Sequence, residues 1–295
     1  MNVERVEMRR ELLIQEKSVT SEVQRTPAPD RPSVPSMLKR VPVGGILLPL
    51  VGVALLVGVW AAVSQLAPFL PNPIQTVTKS WDLIRHPFFD RGPNDKGIGW
   101  QVLYSLGRVG LGFGLAIVAG IPAGLILGRS SVTRKMWDPV VQVLRPVSPL
   151  AWLPLGLATF QAATPAAVFT IFITALWPIL LNTSAGVQQV PPAYVQVGRI
   201  LQLSRRKMMT RILIPAALPH ILSGLRVSLG VAWLVIVASE MLTGGVGIGF
   251  FVWDEWNNLS LEHIILAIAV IGLVGLGLDR LMLAAARRIT NQPLG

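Results

Sequence analysis

Six long apolar segments separate shorter polar ones along the chain. A membrane-spanning helix needs about 20 consecutive apolar residues, and the segments that meet this length are 44–66, 101–128, 138–160, 165–186, 219–242 and 263–286. In the third segment two prolines, Pro146 and Pro149, flank Ser148, and we expect them to bend the helix. The pattern predicts an all-α integral membrane protein with about six transmembrane helices.

Small residues recur at helical spacing inside these segments. The pairs are Gly110 and Gly114, Gly120 and Gly124, and Gly272 and Gly275. Glycines spaced in this way let two helices in lipid approach closely. We therefore expect all three faces to be helix–helix contacts.

The first 40 residues differ in kind from the rest. They are rich in Glu, Arg, Ser and Pro and contain no long apolar run, which is typical of a disordered segment. The first apolar run starts too late, and is too long, for a cleavable signal peptide. We divide the chain into a disordered cytoplasmic tail, 1–40, and a transmembrane domain, 41–290.

Composition agrees with a membrane protein and excludes several classes of site. The chain is 52% hydrophobic and 14% charged, with a mean hydropathy of +0.58. Its net charge of +11 comes from basic residues that lie between the apolar segments, so we expect a lipid bilayer and no nucleic acid as its partner. With no cysteine and three histidines far apart, the sequence predicts no metal site and no cofactor.

Lysine and arginine are distributed unequally between the two sides of the predicted bundle. Eighteen fall in 1–43, 129–135, 187–214 and 287–288, whereas four fall in 67–100 and none in 243–262. Because basic residues remain inside the cell, both termini are expected to be cytoplasmic. The outward-facing stretch "PNPIQTVTKSWDLIRH" (71–86) is predicted to form an amphipathic helix on the outer surface.

A long basic loop, residues 187–215, joins the fourth and fifth apolar segments. It contains Arg205 and Arg206 and no acid. We predict two short helices, the second with Ser204 as its N-cap, and re-entry into the membrane at Pro215. Such a pair can lie in a groove on a soluble partner, and its basic side chains can pair with that partner's acids.

The chain contains no G-x-x-x-x-G-K-[ST] run for binding ATP phosphates. The glycine-rich "GGVGIG" (244–249) lacks the lysine and is expected on the outer side, as a tight turn or a short re-entrant element. We therefore expect the chain not to be an enzyme. Any ATP hydrolysis would belong to a separate subunit.

The basic loop resembles that of permease subunits of bacterial ABC importers, in the group that takes up nitrate, bicarbonate, taurine and alkanesulfonates. The family's motif runs Glu-Ala-Ala, three residues, Gly, nine residues, Ile, one residue, Leu-Pro. Its places fall here on Gln196, Val197, Gly198, Gln202, Ile212, Ile214 and Pro215. The second half, "RILIPAALPHILSGLR" (211–226), fits well, whereas Gln196 and Gln202 depart from the first half.

Other stretches extend the resemblance over most of the chain after residue 41. They are "LPNPIQTV" (70–77), "LRPVSPLAWLPLGLATFQ" (144–161), "FITALWPILLNTSAGVQQVPPAY" (172–194) and "EMLTGGVGIGFFVWDEWNN" (240–258). The last three look most like the nitrate and bicarbonate branch. Within it, "GIGFFVWDEWNN" leans towards nitrate.

This resemblance implies the type I ABC importer permease fold and a place in the bacterial inner membrane. It implies ATP-binding cassette subunits on the cytoplasmic side, a solute-binding protein on the outer side and a homodimer of permeases. The ATPase-coupling residues would be Gln196, Val197, Gly198, Gln202, Ser204, Arg205, Arg206, Ile212 and Pro215. The solute would be nitrate or nitrite, moved by alternating access. Bicarbonate, cyanate, taurine or an alkanesulfonate are alternatives within the family, and a stand-alone secondary transporter or channel is an alternative of another class.

Charged residues inside apolar segments are costly and are candidates for the pathway. Arg145, beside Ser148 and Trp152 in the bent third segment, could hold a planar oxyanion through its guanidinium. It could equally extend its head group to the cytoplasmic interface. We keep both interpretations open.

The lone acid of the fifth segment, Glu240, is a further pathway candidate, for an outer gate. It could instead form a structural ion pair with an arginine such as Arg108, and we favour that pair because an acid repels an anion. We expect the side chain of Arg108 itself to extend to the outer membrane interface. Arg226 and Arg280 are expected to be anchors near the cytoplasmic ends of their helices, and Asp279 to pair with a nearby base.

The outer loop offers a candidate surface for the solute-binding protein. Its residues are Trp253, Asp254, Glu255 and Trp256. Tryptophan commonly anchors a chain at the membrane interface, so these residues have two possible roles.

Overall fold

The computed structural model describes residues 44–67, 69–93 and 95–290 of the chain. The predicted tail, 1–40, lies outside the described residues. The helices are α1 (Gly44–Leu66), α2 (Pro73–Lys79), α3 (Trp81–Arg85), α4 (Ile98–Arg129), α5 (Ser131–Leu144), α6 (Pro149–Phe160), α7 (Ala163–Gln188), α8 (Pro192–Ile200), α9 (Arg205–Met208), α10 (Ile214–Thr243), α11 (Ile248–Asn257) and α12 (Leu261–Thr290). Within the described ranges, β-pairing is confined to one isolated bridge between Asp90 and Lys96, so the all-α prediction is confirmed.

Five of the described helices are long and apolar enough to cross a membrane, namely α1, α4, α7, α12 and a continuous helix from Arg205 to Thr243. A sixth span arises if α5 and α6 count as one broken segment, bent by 93°. The bend falls at Pro146 and Pro149, as the prolines predicted, because proline removes a helix donor and restricts the residue before it. The described chain falls into two units that divide within α1, between Val59 and Trp60, and the packing described below lies in the second unit.

A row of small residues on α4 forms the main helix contact of that unit. The row consists of Gly112, Ala116, Gly120, Gly124 and Gly128. A Cβ atom placed on Gly124 would lie 2.6 Å from the carbonyl oxygen of Leu180 and 2.6 Å from the Cβ of Thr183. Because these distances leave no room for a side chain, the backbones of α4 and α7 are in direct contact, as small-residue spacing allows.

The helix contacts expected from the glycine spacing agree only in part with the row of small residues on α4. Gly120 and Gly124 belong to the contact row, as predicted. Gly110, Gly114 and Gly272 make no such contact within one copy of the described chain, since no atom would lie within 4 Å of a Cβ on any of them, whereas a Cβ on Gly275 would lie 3.3 Å from Cδ1 of Trp233. The contact row therefore lies on another side of α4, which spacing alone did not distinguish.

The helices α10 and α12 each carry a charged residue that the sequence placed too close to a helix end. Arg226 is the 13th of the 30 residues of α10, and its partner Asp279 is the 19th of the 30 residues of α12. The structure extends α10 back to Ile214, beyond the predicted start at 219. The expectation that Arg226 anchors a helix end is therefore wrong, whereas the expected ion pair of Asp279 is present, with Arg226.

The stretch 71–86 forms two short helices and not the single amphipathic helix expected. Asn72 caps α2 in a capping box with Gln75, and the chain breaks at Ser80 before α3 begins. Lys79 forms an ion pair with Glu262 of α12. This ion pair therefore connects the segment 71–86 to the start of α12.

Candidate functional site

A buried ion pair holds together the ends of α4 and α10. The Glu240 side chain is 1% exposed, and its Oε1 accepts a hydrogen bond from Nη1 of Arg108 at 2.6 Å. The hydroxyl of Ser105 lies 2.7 Å from Oε2 of the same carboxylate. The sequence-predicted pair between Glu240 and Arg108 is thus present. The expectation that Arg108 reaches out to the interface is wrong, because its side chain is only 12% exposed.

The same cluster fixes the glycine-rich turn that follows α10. Gly244 and Gly245 have positive φ angles of 75° and 91°, which glycine adopts without steric cost, so the predicted tight turn is confirmed. The backbone N–H of Gly247 donates to Oε1 of Gln101 at 2.6 Å, and that of Gly249 donates to Oε2 of Glu240 at 3.1 Å. These donors belong to the unpaired first turn of α11. The Glu240 carboxylate therefore also lies at the N-terminus of α11, where the positive end of the helix dipole stabilises its negative charge.

Sequence reasoning missed two members of this cluster, Gln101 and Ser105. Ser105 accepts from the backbone N–H of Ile248 at 3.0 Å. The signal that could have found them is the spacing Gln101, Ser105 and Arg108 on one face of an otherwise apolar helix. Polar residues at such positions inside lipid need partners, and the partners here are the turn and Glu240.

The predicted Arg145 site lies at the break between α5 and α6. Arg145 caps the end of α5, and Ser148 precedes the first residue of α6. Both residues are exposed on the protomer, and Trp152 is partly buried in the first turn of α6. The bend therefore groups Arg145 and Ser148 at one elbow, while Glu240 belongs to the separate cluster on α4 and α10.

The basic loop folds as the expected pair of short helices, α8 and α9. The N–H of Leu203 donates to the carbonyl oxygen of Gly198 at 3.0 Å, and the N–H of Gln202 donates to that of Arg199 at 2.9 Å. This is a Schellman motif, whose left-handed residue is usually glycine. Here it is Gln202, with φ 49°. The residue that departs from the family motif thus adopts the backbone geometry that glycine favours.

The second short helix begins as its sequence indicated. The hydroxyl of Ser204 accepts from the N–H of Lys207, so the predicted N-cap is confirmed. A Cβ on Gly198 would lie 2.6 Å from the terminal methyl carbon of Met208 and 2.8 Å from Cδ1 of Ile212. Gly198 is therefore the point at which α8 packs against the π-helical turn Met209–Leu213.

The outer faces of this element expose basic and apolar residues together, with Ile200 78% and Leu201 64% exposed. Gln196, Val197, Arg205, Arg206 and Pro215 are exposed on the protomer. Arg199 also lines a 550 Å³ cleft together with Arg129 and Arg134, where the ends of α4 and α7 meet the loop. This surface carries no acid between residues 187 and 215.

The predicted docking residues all lie on the short helix α11. Trp253 is 44% exposed and Trp256 is 55% exposed. Asp254 is exposed, while Glu255 is partly buried and lies 2.9 Å from Nδ1 of His263. Beside α11 a 270 Å³ pocket is lined by both acids and bases, among them Asp254, Lys96 and Arg91.

The nearby hairpin carries one perturbed acid. A hydrogen bond from the Lys96 ammonium, helped by the backbone N–H of Gly92, holds the pKa of Asp90 below its usual range. The Asp90 side chain is 53% exposed, so water screens this attraction. The pair closes the hairpin that leads into α4.

Long apolar helices and a segment broken at prolines are the features of a multi-span membrane protein. Residues 117–291 match the family described as "Binding-protein-dependent transport system inner membrane component". The chain belongs to this family, and it is a multi-pass inner-membrane protein.

Similarity to curated proteins extends over most of the chain. The "Nitrate import permease protein NrtB" of Synechocystis sp. is 49% identical over 236 residues, which are 80% of this chain and 86% of that protein. The "Bicarbonate transport system permease protein CmpB" of Synechococcus elongatus is 46% identical over 254 residues, which are 84% of this chain and 91% of that protein.

Solved structures share the fold at low identity. A chain of the "Crystal structure of an amino acid ABC transporter with histidines" is 19% identical, with a TM-score of 0.56 over 72% of this chain and 97% of that chain. Together with the family match, this likeness shows the type I ABC importer permease fold.

Proposed function

We propose that this chain is the membrane permease of an ATP-driven importer that carries nitrate or nitrite into the cell by alternating access. The observation that carries the proposal is the 49% identity to a nitrate import permease across 80% of the chain. Bicarbonate is the second candidate, because the bicarbonate permease is 46% identical over 84% of the chain. Both solutes are small oxyanions.

The basic loop is proposed to be the contact with ATP-binding cassette subunits. Its support is the exposed pair Arg205 and Arg206 on a compact two-helix element that is continuous with α10. A rotation of α9 would be transmitted directly along the uninterrupted helix Arg205–Thr243. Differential binding of the loop in two ATPase states would then shift the permease between two conformations.

Both termini and this loop are proposed to be cytoplasmic, with α11 on the outer side. The support is the count of lysine and arginine, eighteen in 1–43, 129–135, 187–214 and 287–288 against four in 67–100. Because the chain has no cysteine, single cysteines at Gln196 and Trp253 give a clean test. A membrane-impermeant thiol reagent should label Trp253→Cys from outside and Gln196→Cys only after lysis, and the reverse pattern would overturn the orientation.

On the outer side, α11 is proposed to receive the solute-binding protein through Trp253, Asp254, Glu255 and Trp256. The exposed indoles of Trp253 and Trp256 on one short, firmly capped helix support this role. Glu255 is proposed to act indirectly, through its contact with His263. The cluster around Glu240 holds α11 in position as part of an outer gate.

The elbow formed by Arg145, Ser148 and Trp152 is proposed to lie on the solute pathway. Its support is an exposed guanidinium at a broken span, where backbone groups are freed for hydrogen bonding. Two copies of the chain are proposed to enclose the pathway, since five or six spans are few for a complete one.

The test of this function is reconstitution of the permease with its ATPase subunits and binding protein in liposomes. Nitrate uptake should require ATP and the binding protein, with bicarbonate as the competing solute. If the permease alone moved nitrate down a gradient, the importer assignment would fail. If the full complex moved bicarbonate and not nitrate, the second candidate would replace the first.

A further inference from the structure

An ion pair joins α10 and α12 well inside both helices. Nε of Arg226 donates to Oδ1 of Asp279 at 2.6 Å, and Nη2 donates to Oδ2 at 2.8 Å. At 1.5 Å per residue, Arg226 lies about 4 Å from the midpoint of α10, and Asp279 about 5 Å from the midpoint of α12. Both charges therefore lie near the middle of their helices and not at a helix end.

The pair remains open on one side of the protomer. The Arg226 side chain is 45% exposed and that of Asp279 is 38% exposed. Charged groups in the middle of an apolar helix are costly in lipid and characteristically face a protein interior or a water-filled cavity. Exposed charges in the middle of two apolar helices therefore favour a water-filled cavity on the open side of the pair over lipid.

A groove of 280 Å³ adjoins the pair, with room for several molecules of water size, about 30 Å³ each. Gly230, Gly272 and Gly275 line it together with Trp233. The indole Nε1 of Trp233 donates to the carbonyl oxygen of Ile271 at 3.0 Å, which fixes the ring as one wall. The rest of the lining is apolar, so Arg226 and Asp279 are the only charged groups among the described residues that line it. The Arg226 side chain remains 45% exposed.

The chemistry of the pair suits a planar oxyanion. A guanidinium has five N–H donors, and the contact with Asp279 uses one on Nε and one on Nη2. The edge formed by Nη1 and Nη2 still has free N–H groups. These can donate two parallel hydrogen bonds to two oxygens of a planar anion. The neighbouring carboxylate repels an anion, so the site would bind weakly and release readily, as a conducting site must.

We propose that Arg226 coordinates a small planar monovalent oxyanion, of the nitrate class, as it passes between α10 and α12. Asp279 is its positioning residue, which aims the guanidinium and limits how long the anion stays. This inference rests on the proposed import function and assigns a passage site within it. Arg226 differs from the elbow residue Arg145 in being held by a carboxylate partner inside the span.

The test uses the complete importer in liposomes, with nitrate and bicarbonate as probes. The variants are Arg226→Gln, Arg226→Lys and Asp279→Asn, and the control is Arg287→Gln, which removes an exposed charge near the end of α12, eight residues from Asp279. Loss of a charge-assisted contact should lower uptake in Arg226→Gln about tenfold, while ATP hydrolysis stimulated by the loaded binding protein stays within about twofold. Arg226→Lys should keep part of the uptake, since lysine supplies a charge without the fork.

A second measurement separates anion binding from a purely structural ion pair. Nitrate should raise the melting temperature of the permease–ATPase complex in the absence of binding protein. We expect this shift to vanish in Arg226→Gln and to occur at lower nitrate concentration in Asp279→Asn, because the repelling charge is gone. A structural pair alone would make both variants equally defective, with no opposite change in the nitrate response.

The outcomes distinguish this inference from the proposed function. If the wild-type importer carries neither anion, the proposed function fails. If the wild type carries one and Arg226→Lys and Arg226→Gln match it in uptake and nitrate response, only the passage site is overturned. Should Arg226→Gln not assemble, Arg226→Lys decides alone, since wild-type behaviour there would overturn the inference.

Discussion

Arg108 and Glu240 lie 132 positions apart in the chain, yet Nη1 of the arginine donates to Oε1 of the glutamate at 2.6 Å. The same Nη1 also donates to the carbonyl oxygen of Val246 at 2.7 Å. One side chain of α4 thereby holds both the end of α10 and the glycine turn beyond it. This arrangement explains how a short helix, α11, is held rigidly at the end of the bundle.

Breaking this buried pair should be strongly destabilising. Arg108→Ala would leave the Glu240 carboxylate buried and uncompensated, which costs about 3–5 kcal/mol. The melting temperature of the purified protein in detergent checks this. The control is Arg91→Ala, whose pair with Asp82 is 3.7 Å long and exposed on both sides, so its loss should cost less than about 1 kcal/mol. Equal effects of the two substitutions would contradict the buried role of Arg108.

The row of small residues on α4 predicts unequal effects of adding one methyl group. Gly124→Ala should destabilise the protein by about 1–3 kcal/mol, because the new Cβ would overlap the α7 backbone. Gly110→Ala should be neutral or stabilising by up to about 1 kcal/mol, because alanine favours the helix and the site is open. Thermal unfolding of both variants in the same detergent compares them. The opposite order would place the helix contact on the face of Gly110.

Gln202 should tolerate glycine and reject valine. Its φ of 49° costs an ordinary L-residue roughly 1–2 kcal/mol, and a β-branched side chain more. ATP hydrolysis by the assembled importer, stimulated by the binding protein, should survive Gln202→Gly and fall in Gln202→Val. The matched control is Ala193→Val, at an exposed α8 position without a positive φ. If Gln202→Val and Ala193→Val were equally active, the turn geometry would not matter for coupling.

Reversing the charge of the exposed loop should uncouple the partner ATPase. Arg205→Glu combined with Arg206→Glu is expected to abolish stimulated ATP hydrolysis and uptake, while membrane insertion remains, because like charges would then meet acids of the partner. The control is Arg287→Glu combined with Arg288→Glu, which makes the same charge change near the end of α12. Unchanged uptake in the loop variant would show that Arg205 and Arg206 serve only to orient the chain.

Several features were predictable from the sequence because their causes are local. The length of the apolar runs predicted the long helices. Pro146 and Pro149 predicted the bend between α5 and α6. Ser204 could be recognised as an N-cap because its partner, the N–H of Lys207, lies three residues away. The predicted single helix over 71–86 was wrong, however, because the break at Ser80 has no strong signal in the residues around it.

The candidate sites were predictable only in part. The pairing of Glu240 with Arg108 could be proposed as a choice among arginines, but Gln101 and Ser105 were not found. Arg226 was assigned to a helix end because the start of α10 was placed at 219, five residues after its actual start at Ile214. An error of five residues in this boundary thus moved the predicted position of Arg226 from the middle of the helix to its end.

By itself the sequence determined which segments are long, apolar, bent or capped, since these properties depend on residues within about one or two helical turns of each other. Only the tertiary structure decided which face of α4 meets α7, and that Arg226 meets Asp279 across 53 positions. The reason is that an α-helix offers several faces, each repeated every 3.6 residues. The chain also has several arginines, any of which could pair with a given acid. Packing of distant helices selects one face and one partner from these equivalents.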